Sequence, residues 1–368
     1  MSPLAPLRDP QIDYKIKRYY NCVLAQTIST SGKFLFAGNR VGDIFVQRYK
    51  KLIVNFKLKS LTNLSYSRLQ DLENPEEPLE PIKIYGQGED VEINCLCFHR
   101  DFLIVGSIGV VYGLKWLEEK GELVNKKAWE IKIPIESDAI EVPDVNYMWL
   151  RSESDLLYVG CGDNVVYELS LEDGRIVRDF RGHDDYIHSV CGYGSNKLYS
   201  ASEDGSLRFW VCNEKESVGC IEPYKKEKLN RPEMGKWLGA VAVNEDWLIC
   251  GGGPKLSLWH LRTMECTSEF PFPGKVHVCD FVEDMIFAGG EHTNAQFYAM
   301  NGSLRADIKT ENTAVYSAIW QMEPQRFMSI AGFSNYLSIL NDFRFLDSKI
   351  ELYTLKDISE NDNDKRNT

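Results

Sequence analysis

A chain of 368 residues, 43% hydrophobic and 26% charged, exceeds the usual size of a single hydrophobic core, so it holds either two domains or one repeat architecture with a continuous core. No apolar run approaches the roughly eighteen residues that a membrane-spanning helix needs, which excludes a helical membrane protein. The net charge of -12 opposes docking on a phosphate backbone, and little direct nucleic-acid binding is expected of the chain alone.

The first residues, MSPLAPLRDPQIDYKIKRYY, are interrupted by Pro3, Pro6 and Pro10 and lack an apolar h-region, so an intracellular location is expected. Residues 1–22 read as an N-terminal extension, in which 11–20 form a short helix if the ring's last outer strand comes from the C-terminal end. From residue 23 one unit recurs seven times: an alternating strand, a polar turn, a hydrophobic strand ending in small residues, a tight turn, and a third alternating strand. The middle strands read FLFAG, FLIVG, LLYVG, KLYSA, WLICG, MIFAG and FMSIA. Their small residues Gly38, Gly106, Gly160, Ala201, Gly251, Gly289 and Ala331 lie 68, 54, 41, 50, 38 and 42 positions apart. A period near forty in strand-rich sequence is that of a four-stranded propeller blade. The third strands, among them VVYEL, SLRFW and KLSLW, carry the period-two alternation of a sheet. Between second and third strands stand EDGS, GDN and GGGP, read as hairpin turns that supply positive-φ residues. One blade cannot bury its faces alone, whereas a closed ring leaves none exposed.

The fold class is therefore all-β, a seven-bladed β-propeller over residues 23–356. The long first interval requires an insertion, placed at about 60–81, where Pro, Glu, Ser and Asn dominate. Residues 357–368 lack apolar residues after Ile358 and read as a disordered tail. Two options remain for the ring's last outer strand: FRFLDSKIELY (343–353), or IDYKIKRY from the N-terminus.

The fourth unit, RGHDDYIHSV followed by KLYSASEDGSLRFW, resembles the WD-repeat pattern. The resemblance implies a hydrogen-bonded structural tetrad of His183, Ser200, Asp204 and Trp210, with Ser202 as an alternative to Ser200. Val211 replaces the Asp that normally follows the Trp, and most other units lack the Gly-His pair. A catalytic reading of His183 and Asp204 is weighed against that structural one, which is preferred.

GxSxG, HExxH, GxxxxGK[ST] and the dinucleotide GxGxxG are missing from the sequence, so neither an enzyme nor a bound cofactor is expected. The ten cysteines are scattered without a CxxC and read as reduced core thiols; Cys95 and Cys97 lack further ligands at zinc-like spacing. His183, His188 and Cys191 are rejected as a metal set because strand alternation parts the last two. The basic stretch Lys225, Lys226, Lys228 and Arg231, followed by Lys236 and Trp237, contrasts with the acidic chain and is the candidate docking edge for a partner.

RGHDDYIHS, EDGSLRFW and RPEMGKWLGAVAVNEDWLICGGGPKLSLWHLRTME together resemble the THO complex subunit 6 family, with fainter similarity over SGKFLFAGN and most of the rest. This resemblance implies a nuclear, non-catalytic propeller adaptor in the assembly that couples transcription to mRNA processing and export, with other THO subunits as protein partners. The rival binding-module reading is a substrate receptor of a cullin-RING ubiquitin ligase, because Trp259–Arg262 (WHLR) approximates a WDxR box.

Overall fold

The computed structural model describes residues 21–48, 79–88, 91–135, 141–214, 216–343 and 345–353. The 11–20 helix, most of the 60–81 insertion and the 357–368 tail lie outside them. The described residues form seven four-stranded antiparallel sheets, each built from strands consecutive in the chain. These are blades 1 to 7, spanning residues 23–86, 95–132, 145–181, 187–221, 238–270, 276–309 and 315–351. The first strand of each blade packs on the first strand of the next, and that of blade 7 packs on that of blade 1. The protein is a closed seven-bladed propeller.

The periodic small residues now have a cause. Each ends a buried second strand where the following blade's first strand begins. A Cβ on Gly106 would stand 2.6 Å from Val145, one on Gly160 2.6 Å from Ile187, and one on Gly289 2.7 Å from Val315. Real Cβ atoms do not approach that closely, so where the small residue is one of these glycines the blades stack because the position carries no side chain. GGGP works in the same way. Gly252 and Gly253 are not among the positive-φ glycines, contrary to the hairpin-turn expectation; their Cβ positions fall 2.2 Å from the carbonyl oxygens of Trp237 and Gly235. In EDGS, by contrast, Gly205 does adopt φ 87.

The fourth strands escape a reading based on burial. Arg175–Arg181 and Glu265–Phe270 form outer edges that alternate exposed and half-buried residues. The first of them is Lys83–Gly86, which follows Asp43–Arg48 in the sheet, so the long interval falls inside blade 1, between its third and fourth strands. Of the two options for the last outer strand, blade 7 uses Phe345–Glu351.

Because each blade is completed by its own residues, the ring closes through side chains and isolated bridges rather than a shared strand. Leu79 pairs in parallel with Ile350, and its carbonyl accepts from the Glu351 amide at 2.7 Å. Cys22 pairs with Phe333. Beneath them Tyr353, 2% exposed, lies edge-on to Phe45 with ring centroids 5.1 Å apart. Its hydroxyl accepts from Asn39 Nδ2 at 2.8 Å and donates to the buried carboxylate of Asp43. Asn39 Oδ1 caps the Asp43 amide at 2.8 Å. On the channel side Gln26 of blade 1 donates to the Ser317 carbonyl of blade 7 at 3.2 Å and accepts from the Ser329 hydroxyl.

Removing the phenol oxygen takes a buried donor from Asp43 without opening a large cavity. Tyr353→Phe should therefore lower unfolding free energy by about 1–3 kcal/mol. Equilibrium denaturant unfolding checks this, and an unchanged midpoint would show that closure does not use the bond.

Candidate functional site

Three features converge near the face on which the first strands begin: a buried polar chain in blade 4, the basic connection from blade 4 to blade 5, and the mouth of the central channel. The polar chain starts at Trp210, whose indole Nε1 donates to Ser200 Oγ at 2.8 Å. Ser200 Oγ lies 2.8 Å from His183 Nε2, and His183 Nδ1 lies 2.9 Å from Asp204 Oδ2. One proton arrangement satisfies all three contacts: indole to hydroxyl, hydroxyl to Nε2, and Nδ1–H to carboxylate. Asp204 also accepts from the amides of Ser206 at 2.7 Å and Asp184 at 3.0 Å. Burial would raise the Asp204 carboxyl, but the bonds from His183 and Ser206 outweigh it and hold the group well below the usual carboxylate range. Ser202 stands outside the chain, donating to the Asp185 carbonyl and accepting from the Asp204 amide. The Ser200 hydroxyl cannot meet a substrate, since Ser200 is 0% and Trp210 1% exposed.

The basic stretch is contiguous in sequence and divided in space. Two 3-10 turns, Pro223–Lys225 and Pro232–Met234, carry the connection across blade 5, with Leu229 buried as its anchor. Lys225 pairs with Glu222 at 2.6 Å, and Lys226 lies over the buried Trp259 ring at 4.9 Å. Lys228 and Lys236 are exposed. Arg231 turns inward: its guanidinium donates to the carbonyls of Gly252, Gly253, Pro254 and Phe272, at 2.8 to 3.2 Å. Four of its five N–H donors are thus held by its own chain, which leaves little for a partner. Trp237 reaches the channel mouth, between His188 and His277, at ring distances of 5.7 and 5.2 Å. It lies over Gly239, where a Cβ would meet its ring at 2.4 Å.

The channel encloses about 570 Å³. The first strands are mostly apolar, yet single polar residues on or beside them meet here. His188 bonds Glu203 at 2.7 Å, His277 packs on Tyr316 at 4.7 Å, and Lys275 pairs with Glu291 at 3.2 Å. Burial depresses His277 to about 4, so its ring is neutral at pH 7. Deeper in, burial raises the Asp280 carboxyl, which accepts from Trp320 Nε1 at 2.7 Å. No linear motif joins these residues, and only the ring brings them together. Around this mouth the face of blades 2 to 4 is acidic, with Glu141, Asp144, Asp163, Asp184, Asp185 and Glu203 on its connections. Among the described residues no three His, Cys, Asp or Glu side chains are placed to hold a metal ion. In the WHLR run, Trp259 is 1% exposed and donates to Ser257 at 2.9 Å, while Arg262 is exposed.

Comparison with known proteins places this geometry in a family. The model of the WD domain, G-beta repeat, matches residues 174–211, which span the blade 4 tetrad. THO complex subunit 6 of Drosophila melanogaster is 55% identical over 347 residues, covering 94% of either chain. The chain belongs to the THO complex subunit 6 family. The protein of that name in Homo sapiens is 30% identical, with 88% of this chain and 89% of that one covered. Among solved structures, the computationally designed Ika8 protein superposes with a TM-score of 0.58, covering 91% of this chain and 88% of that one. At 12% identity it bears on the fold alone.

Trp210→Ala removes a large buried side chain and leaves the Ser200–His183–Asp204 chain without its terminal donor. A loss of about 3–5 kcal/mol in a denaturant melt is expected; a change below about 1 kcal/mol would show that the indole does not support blade 4.

Proposed function

We propose that the chain is a non-catalytic adaptor: a propeller subunit that scaffolds the THO assembly in the nucleus, for mRNA processing and export, by holding other THO subunits. The observation that carries this reading is the 55% identity to a THO complex subunit 6 along 94% of both chains, which leaves no large region free for a different role. The adaptor unit is residues 23–356, with 1–22 as an extension and 357–368 as a polar tail.

The chemistry of the site supports a binding role over a catalytic one. The His183–Asp204 pair with Ser200 resembles a catalytic relay only on paper, because the hydroxyl is sealed beneath the Trp210 indole. We assign the four residues to holding blade 4 together, since every polar side-chain atom of the four is paired. At the channel mouth the ionisable groups are mostly paired with one another, His188 with Glu203 and Lys275 with Glu291. The carboxylates on blades 2 to 4 and the net charge of -12 repel phosphate, so RNA handling falls to partners. No helix among the described residues is long and apolar enough to cross a membrane. The exposed Lys225, Lys226, Lys228 and Lys236, with Trp237 at the channel, form the docking edge in this reading. Arg231 contributes by fixing the connection rather than by meeting a partner.

Affinity purification at physiological salt tests the proposal. Other THO subunits should be recovered with the chain, and recovery should drop severalfold for Lys225→Glu/Lys226→Glu. Recovery of a cullin with its adaptor would instead favour the ligase reading built on Trp259–Arg262, and recovery of neither set overturns both. Intact recovery by the double variant removes the lysines from the docking edge.

A further inference from the structure

On the opposite face, where the first strands end, Arg151 closes the strand Val145–Arg151 and turns into the seam between blades 3 and 4. It is 7% exposed. Nη1 donates to Tyr158 Oη at 2.7 Å and Nη2 to the soft acceptor Cys212 Sγ at 3.5 Å, while Nε has no partner. The cation lies over the rings of Trp149 and Tyr158, at 5.4 and 4.9 Å. Among the described residues no carboxylate stands in ion-pair contact with it. Glu168, 3% exposed, is within electrostatic reach but sits 3.1 Å from Arg178 Nε, and burial pushes its carboxyl above the ordinary range. A desolvated guanidinium held by a phenol and a thiol is an incomplete arrangement, because burying a cation is costly unless a counter-charge returns the loss.

The place is also open. Arg151 and Arg178 line a cavity of about 840 Å³, together with the buried Glu168, the exposed Glu153, Ser195 and Asn196. The lining holds two guanidiniums and two carboxylates, but Glu153 faces solvent, so at the buried end Arg151 and Arg178 share the single carboxylate of Glu168. Planar N–H forks of this kind match the oxygens of carboxylate and phosphate.

We propose that this cavity between blades 3 and 4 is a binding site for an oxyanion, a carboxylate or phosphate group borne by a ligand, with Arg151 as the buried anchor and Arg178 as the outer clamp. The site lies on the opposite face from the channel mouth and does not depend on which complex the chain joins, so its failure would leave the adaptor reading standing.

The test titrates the purified full chain with inorganic phosphate and, separately, with glutarate, at ionic strength held constant with sodium chloride. A saturable rise in melting temperature is expected, and Arg151→Met should raise the half-maximal concentration at least about tenfold. The more potent probe names the source as phosphate or carboxylate. A rise that does not saturate, as general exclusion of phosphate from protein surfaces would give, overturns the site. So does an equal response in Arg151→Met, or no response to either probe. If that variant fails to fold, arginine Nε–H resonances of the unsubstituted chain decide: saturable movement of the Arg151 signal, assigned by sequential backbone correlation, supports the site, and a stationary signal overturns it.

Discussion

The structure depends on closing a ring in which, among the described residues, no strand is shared between its ends. Every blade is made of consecutive strands, so the seam between blades 7 and 1 is held by what its side chains can do. Apolar packing does most of it: Val23, Leu35, Ala37 and Phe45 of blade 1 share one core with Phe327, Leu337, Ile339 and Ile350 of blade 7. The buried Asn39–Tyr353–Asp43 bonds and the Gln26–Ser329 pair add direction, since a slipped register would leave a carboxylate and two amides buried without partners. Channel mouth, tetrad and inter-blade cavities all inherit their geometry from that closure.

Much of the fold was legible because the signal for it is steric. Where a glycine ends the second strand, as at Gly106, Gly160 and Gly289, the next blade's Val or Ile occupies the space a Cβ would take, and a steric requirement of this kind persists where motifs drift. The fourth strands left no comparable trace. They pair on one side only, and strands such as Arg175–Arg181 alternate exposed and half-buried residues, so their composition resembles that of a loop. GGGP was read as a turn needing positive φ, whereas its second and third glycines admit neighbouring carbonyls.

At the site the tetrad residues could be named from a pattern, because His183, Ser200, Asp204 and Trp210 all fall within one blade. Residues of the channel mouth come from different blades, one or two each, and stand singly among apolar neighbours; Trp237 was noted only as the end of a basic run. Chain proximity misled in the other direction for Arg231, which folds under blade 5 while Lys225, Lys226 and Lys228 stay outside. Buried charge divides in the same way between the two faces. On one, His183 and Asp204 complete each other within the chain. On the other, Arg151 is left short of a counter-ion, and an incomplete polar arrangement says more about binding than a satisfied one.

Closure itself can be measured without touching the residues that make it. Nitroxide labels at Lys33 of blade 1 and Met322 of blade 7, both exposed, flank the seam near the point where Gly32 meets Pro324. A pulsed dipolar measurement should give one narrow, short distance between them. A broad distribution, or a separation wider than a blade, would mean that the ring is open and that the channel, the seam network and the sites built on them do not exist in solution.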